Sequence, residues 1–238
     1  SVMAVNNEIG SIQPIEAISE LLADKPTISF HVDAVQALTK IPTEKYLTER
    51  VDFATFSSHK FHGVRGVGFV YIKSGKKITP LLTGGGQERD YRSTTENVAG
   101  MAATAKALRL SMEKLDIFTS KTGQMKAVIR QALLDYPDIF VFSDEEDFAP
   151  HILTFGIKGV RGEVIVHAFE DYDIFISTTS ACSSKAGKPA GTLIAMGVDK
   201  DKAQSAVRLS LDLENDMSQV EQFLTKLKLI YNQTRKVR

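Results

Sequence analysis

The chain has 238 residues, 43% of them hydrophobic, which is enough to build one core or two and excludes disorder and peptide-like scaffolds. Lys plus Arg and Asp plus Glu each number 29, so the formal net charge is zero and a nucleic-acid grip driven by bulk charge is not expected. The single cysteine excludes an internal disulfide or a cysteine zinc cluster, and no apolar run nears the roughly 18 residues of a membrane span or follows a basic leader, giving a soluble, cytoplasmic reading.

The opening residues, SVMAVNNEIG, read as the end of a buried strand, as if the chain starts in mid-domain. Ile15, Ile18, Leu21 and Leu22 recur at helical spacing behind Pro14, predicting a short surface helix within residues 12–22. Thr27 to Val32 is a β-favouring run that ends at Asp33. Val51 to Phe56 is another, ending in the polar cluster Ser57, Ser58, His59, Lys60, and Gly66 to Ile72 is a third. Strands interleaved with a helix and closing on polar residues predict an α/β sheet with its chemistry at the strand ends.

Thr83 to Asn97 is rich in glycine and polar residues and reads as a loop. From Val98 a long helix follows with Met101, Ala105, Leu108 and Met112 on one face, and the domain boundary is placed here, dividing residues 1–98 from 99–238. Beyond it, Lys126 to Leu134 and Gly162 to Phe169 read as helices. Ile139 to Phe142, His151 to Gly156 and Ile174 to Ser177 read as strands, and Thr178 to Ala190 as a small-residue loop around Cys182. Two further helices end the chain. The last opens with Ser218 and Glu221 in capping-box spacing and carries Val220, Phe223, Leu224, Leu227, Ile230 and Tyr231. This half is expected to be a small α+β domain, and no internal repeat is visible.

Asp33, closing a strand, faces a ligand or caps the following turn, and caps are the commoner use of such an aspartate. In SSHK, a lysine beside a histidine at a strand end loses its proton more readily and attacks carbonyls to form a Schiff base; alone it weighs evenly against a surface lysine. An amine paired with an acid is what pyridoxal phosphate requires, the acid keeping its pyridine nitrogen protonated. Cys182 sits among Ser, Ala, Gly and Lys, which favours a reactive thiolate over a buried structural thiol. Arg208, in the β-like run AVRLSL, suits a substrate carboxylate or an ordinary ion pair. The GGGQER and RSTT stretch offers amides and hydroxyls of a kind that cradle phosphate, a weak signal by itself. No metal-ligand spacing joins His31, His59, His62, His151 and His167.

Taken in order, NNEIG (6–10), FHVDAVQ (30–36), FSSHKFHGVRGVG (56–68), GGGQERDYRSTT (84–95) and TTSACSS (178–184) resemble the NifS/IscS-type cysteine desulfurases, class V, fold-type I pyridoxal-phosphate enzymes. The resemblance spans nearly the whole chain. It implies a PLP-transferase large domain with a mainly parallel sheet over residues 1–98, then an interdomain helix and a small domain carrying the Cys182 loop over residues 99–238. By the same resemblance Lys60 is the Schiff-base lysine with His59 beside it. Asp33 pairs with the pyridine nitrogen, Gln36 bonds the phenolic oxygen, and Asn7 lies near the ring or substrate. Ser57 and His59 bind phosphate, joined by Thr95 from across a homodimer interface. Arg208 takes the substrate carboxylate, and Cys182 receives sulfur from L-cysteine as a persulfide, releasing alanine.

The resemblance further implies a protein sulfur acceptor, in iron-sulfur cluster assembly or tRNA thiolation, and neither direct nucleic-acid nor membrane contact. In the family about 140 residues precede NNEIG, with a ring-stacking histidine and a Gly-Thr phosphate loop. The chain is therefore expected to be the carboxy-terminal part of a desulfurase, inactive unaided. Thr94 stands where the family usually has glycine, and DLEN follows Arg208 where a glycine-arginine pair is common. Competing readings are another class V enzyme, a selenocysteine lyase or aminotransferase, and, for this chain, a non-catalytic partner-binding fragment.

Overall fold

The computed structural model describes residues 1–144, 146–179 and 191–236 and divides into two compact units, residues 1–5 with 13–115 and residues 6–12 with 116–238. In the first unit β1 (Val2–Met3), β2 (His31–Asp33) and β3 (Phe53–Ser57) run parallel, and β4 (Gly68–Ile72) lies antiparallel beside β3. Alternation sets the two faces: Val32, Ala54 and Phe56 are buried, while His31, Asp33, Thr55 and Ser57 between them are half-buried on the opposite face. The parallel strands bring Asp33 into register with Thr55, so the carboxyl ends of β2 and β3 share one edge.

β2 is shorter than the run that starts at Thr27. The carbonyls of Leu22, Lys25 and Ile28 accept hydrogen bonds from the Arg50 guanidinium at 2.9, 3.0 and 2.5 Å, so this stretch folds around a cation instead of joining a ladder. Next to Arg50, the Asp52 carboxylate is 2% exposed. It accepts from the Phe30 amide at 2.8 Å and from Arg50 Nη1 at 2.9 Å, and lies 3.2 Å from Lys76 Nζ. Burial alone would push this carboxyl up, but the Phe30 amide and the two cations reverse that and hold it below the ordinary carboxylate value.

Helix α1 (Ile15–Leu21) begins directly after Pro14 and buries Ile15 and Ser19. Helix α2 (Val98–Met112), capped by Asn97 on the Gly100 amide at 3.0 Å, does not bury the expected apolar face. Gly100 and Thr104 are buried, whereas Met101 and Ala105 are exposed. The Thr104 hydroxyl meets that of Ser58 at 2.9 Å, and Ser111 donates to the Phe61 carbonyl at 3.3 Å, so hydroxyls seat this helix in the first unit. The compact units accordingly part after Leu115, where the sequence reading divides the chain at 98/99.

The second unit has an antiparallel sheet in the order β5 (Ile139–Val141), β6 (Ile152–Ile157), β8 (Ala206–Ser210), β7 (Ser177–Thr178). The strand expected from Ile174 starts later because Asp173 turns through a left-handed φ of +58° and the Ile174 amide still bonds the Phe169 carbonyl at 3.1 Å. One face of the sheet presents Leu153, Phe155, Ile157, Val207 and Leu209. Against it pack Met125, Ile129 and Leu133 of α3 (Leu115–Leu134), Ile165 and Phe169 of α4 (Gly162–Glu170), and Val220, Phe223, Leu227 and Ile230 of α7 (Met217–Lys236). Phe169 and Phe223 stack at 5.0 Å. Each such side chain contributes about 1.5–3 kcal/mol on burial. Two short helices, α5 (Gly191–Ala195) and α6 (Lys200–Gln204), precede β8.

The cap of α7 differs from the expected Ser218 and Glu221. Asp216 Oδ1 accepts from the Gln219 amide at 3.1 Å, and Gln219 Oε1 accepts in return from the Asp216 amide at 3.2 Å. The Ser218 hydroxyl only supports this box, donating to Asp216 Oδ1 at 2.6 Å.

Candidate functional site

In the first unit Asp33, Gln36, Ser57, His59 and Lys60 follow the carboxyl ends of the neighbouring parallel strands β2 and β3, and Thr95 lies apart in a loop. Asp33 ends β2, and its Oδ1 accepts from the Val35 amide at 3.0 Å, so it does cap the following turn. That bond uses one oxygen; Oδ2 makes no hydrogen bond among the described residues. Gln36 is half-buried in the same turn. His31, on the Asp33 face, holds its ring between Ser1 Oγ at 2.7 Å and Thr55 Oγ1 at 3.1 Å. Its pKa is lowered by burial, against the pull of Asp33, so the ring is neutral at pH 7.

Ser57 ends β3, and a single 3-10 turn, Ser58–Phe61, carries His59 and Lys60. The turn is held from beneath. Ser58 is fully buried against Thr104, His62 terminates the turn at φ +64°, and the Gly63 amide returns to the Ser58 carbonyl at 3.0 Å. A Cβ on Gly63 would collide with the Ser58 hydroxyl, so glycine is required there. Of the two serines in SSHK, Ser58 is thus structural and Ser57 half-buried at the edge. His59 is exposed and Lys60 half-buried, and neither forms a hydrogen bond or ion pair among the described residues. Thr95 is exposed in the loop before α2, with Thr94 beside it.

In the second unit the structure brings Asn7 and Arg208 together. Arg208 on β8 donates from Nη1 to the Asn7 carbonyl at 2.8 Å and from Nη2 to Ser177 Oγ at 3.1 Å, both neutral partners. Residues 6–11 form a closed loop, with Asn6 N bonded to the Ser11 carbonyl and Gly10 N to the Asn6 carbonyl, each at 2.9 Å. The Asn6 side chain organises its interior, Oδ1 accepting from the Glu8 and Ile9 amides at 2.8 and 3.0 Å. Gly10 takes φ +82° where a Cβ would lie 2.9 Å from Ile152 Cβ. Glu8 Oε2 and Asn6 Nδ2 hold the Thr192 amide and hydroxyl, at 3.1 and 3.3 Å. Cys182 lies outside the described residues.

Sequence reasoning named Asn7 and Arg208 but passed over the polar side chains that receive the loop: Thr154 and Ser143 donate to the Glu8 and Ile9 carbonyls, each at 2.6 Å. The available signal was a lone threonine in ILTFGI, a strand buried along its whole length.

The sequence model of the family described as "Aminotransferase class-V" matches residues 1–223. The chain is 50% identical over 238 residues to a protein named "NifS/IcsS protein homolog" from Lactobacillus delbrueckii subsp. bulgaricus, covering 100% of this chain and 62% of that protein. It is 37% identical over 240 residues to "Cysteine desulfurase IscS" of Clostridium botulinum, covering 100% of this chain and 60% of that protein. Among solved structures, a "NIFS-LIKE PROTEIN" superposes with a TM-score of 0.86 at 36% identity, over 97% of this chain and 60% of that one. The chain thus spans about 60% of the length of the relatives it matches.

Proposed function

The chain belongs to the aminotransferase class-V family, and from that premise we propose that its protein is a pyridoxal-phosphate-dependent cysteine desulfurase, which moves sulfur from L-cysteine onto Cys182 and releases L-alanine. The observation that carries this reading is Lys60: a half-buried amine without a hydrogen bond or ion pair among the described residues, on the turn that leaves β3, beside the strand that ends in Asp33.

The donor set fits the cofactor. An amine, a carboxylate with one oxygen free of hydrogen bonds, an amide, a hydroxyl and an imidazole lie along one strand edge, matching in kind an aldehyde, a pyridine nitrogen, a phenolic oxygen and a phosphate. Lys60 would hold the aldehyde end, Asp33 the ring nitrogen, Gln36 the phenolic oxygen, and Ser57 with His59 the phosphate. Thr95 would add a hydroxyl to the phosphate bound by the other copy of a homodimer. When bound, pyridoxal phosphate supplies an electron sink for chemistry at the substrate α-carbon.

The chain's own residues do the rest. Arg208 binds the substrate carboxylate through its planar fork, with Asn7 beside it. His59, exposed next to Lys60, takes up and returns a proton there. The Cys182 thiolate attacks the substrate sulfur; an S–S bond forms, the substrate C–S bond breaks, and its electron pair and a proton remain on carbon as alanine. A protein acceptor, of iron-sulfur assembly or tRNA thiolation, then takes the sulfur in the cytoplasm. No helix among the described residues is long and apolar enough to cross a membrane.

The test uses the full-length polypeptide with added pyridoxal phosphate, reading its yellow absorbance and alanine release from L-cysteine with a thiol reductant. Lys60→Ala should lose both; Cys182→Ala should keep the colour and lose turnover. Full turnover in Cys182→Ala would refute the persulfide route and favour a lyase of the selenocysteine-lyase type.

A further inference from the structure

Within β6 every residue is buried, yet one is polar: Thr154, at 0% exposure. A hydroxyl in such a place costs free energy unless it is bonded, and its partner is the Glu8 carbonyl at 2.6 Å. Thr154 stands directly opposite Arg208 in the β6–β8 pairing, and Ser177 stands opposite Arg208 on its other side. Opposite residues of antiparallel strands project to the same face, so Thr154, Arg208 and Ser177 form a polar row across adjacent strands.

The loop of residues 6–11 lies on that row. Three consecutive carbonyls are taken by three side chains: Asn7 by Arg208, Glu8 by Thr154, and Ile9 by Ser143. The last two are linked, because Ser143 Oγ also accepts from the Thr154 amide at 2.9 Å. Arg208 bonds Ser177 on its own face and also the Asn7 carbonyl, whose position is set by the bond one residue along. A peptide held at Glu8 and Ile9 leaves the Asn7 oxygen little freedom. A guanidinium with two of its nitrogens anchored in this way is held in one orientation.

Resting on the desulfurase reading above, we infer that Thr154, assisted by Ser143, is a positioning residue for substrate-carboxylate binding: it fixes the Asn6–Ser11 loop so that the Asn7 carbonyl orients Arg208. Thr154 touches no substrate in this scheme. It acts through the loop, and its hydroxyl rather than its shape is what matters.

The experiment compares Thr154→Val, which keeps the shape and removes the hydroxyl, with Thr154→Ser, which keeps the hydroxyl, in the full-length holoenzyme. Thr154→Val should raise KM for L-cysteine about tenfold with kcat within about twofold, and Thr154→Ser should restore the wild-type KM. In an Arg208→Ala background Thr154→Val should add no further rise, because the two residues act as one unit. Amide exchange across residues 6–12 should quicken about tenfold in Thr154→Val and not in Thr154→Ser. An unchanged KM in Thr154→Val, or additive effects with Arg208→Ala, overturns the assignment. If Thr154→Val folds poorly, Ser143→Ala should show the same KM rise, and its failure to do so also overturns it. A wild-type protein that forms no alanine from L-cysteine sinks the functional reading instead; unchanged exchange at residues 6–12 would then still overturn the role of Thr154.

Discussion

Asp52→Asn tests how the first unit is held at the edge opposite its candidate site. The carboxylate is 2% exposed and ties three stretches of chain: the Phe30 amide before β2, Arg50 before β3, and Lys76 after β4. The carboxamide keeps an oxygen for the Phe30 amide, so that bond falls from charge-assisted to neutral strength, about 1 kcal/mol. Arg50, 15% exposed, donates to that same oxygen, so its bond also survives and loses only its ion-pair part, about 1 kcal/mol. Lys76 is 32% exposed, and its loss counts at the surface rate of about 0.5 kcal/mol.

The expected destabilisation is about 2–3 kcal/mol, a fall in Tm of about 4–12 °C for a chain of this size. Asp52→Ala should approach the roughly 3–5 kcal/mol of a broken buried pair. Urea unfolding followed by circular dichroism measures this, with Glu113→Gln as control, since the exposed Arg109–Glu113 pair at 2.6 Å should matter by under about 0.5 kcal/mol. The pH dependence gives a second check. A carboxyl held below its unfolded value of about 3.9 contributes fully above that pH, and its contribution is lost as the pH falls through the folded value. Asp52→Asn should therefore flatten the acid limb and leave neutral pH slopes alone. A variant within about 0.5 kcal/mol of wild type, with an unaltered acid limb, would refute the reasoning.

Lys126, 6% exposed, donates to the Ala149 carbonyl at 2.9 Å, and burial, helped by Arg130 and opposed by Asp144, lowers its pKa to about 8. Between pH about 8 and about 10.4 the unfolded lysine keeps a proton that the folded one has shed, so stability should rise with pH across that window. Urea midpoints taken through it should show the rise in wild type and lose it in Lys126→Met. Gly63→Ala forces a methyl group into the Ser58 hydroxyl and should cost about 1–3 kcal/mol while displacing the turn that carries Lys60. The check is a lower yield of cofactor absorbance per folded molecule, partly recovered in Gly63→Ala/Ser58→Ala; full absorbance in Gly63→Ala would show that the turn tolerates the shift.

Much of the fold was legible where periodicity matches burial. Val220, Phe223, Leu227 and Ile230 lie along the last helix as their spacing requires, and all enter the core. The reading failed where hydroxyls and cations replace apolar contacts. In α2 Met101 looks like core and is exposed, while Thr104, polar by type, is buried because Ser58 offers it a partner. From Thr27 the run favours a strand by composition, but Arg50, distant in sequence, takes the Ile28 carbonyl within it and the Lys25 carbonyl just before it. The cap of α7 was missed because Ser218 and Glu221 match the box by residue type, whereas Asp216 and Gln219 close it in both directions.

The candidate site rests on a different signal, residue types at strand ends. At Asp33 the cap is what the structure shows: one oxygen accepts from the Val35 amide, and the other makes no hydrogen bond among the described residues, so the turn does not use up the carboxylate. Arg208 shows the limit. Its type and its β-like surroundings were visible, but its orientation is set by Ser177 and by the Asn7 carbonyl, and the latter depends on Thr154. Those groups come from three strands and a loop far apart in sequence, and only strand register makes them neighbours. Within a single sequence, a threonine surrounded by apolar residues reads as a minor irregularity. Once the strands are paired it is, with Ser143, one of two buried hydroxyls on the loop that steadies the arginine, and the cost of burying it becomes the argument for its role.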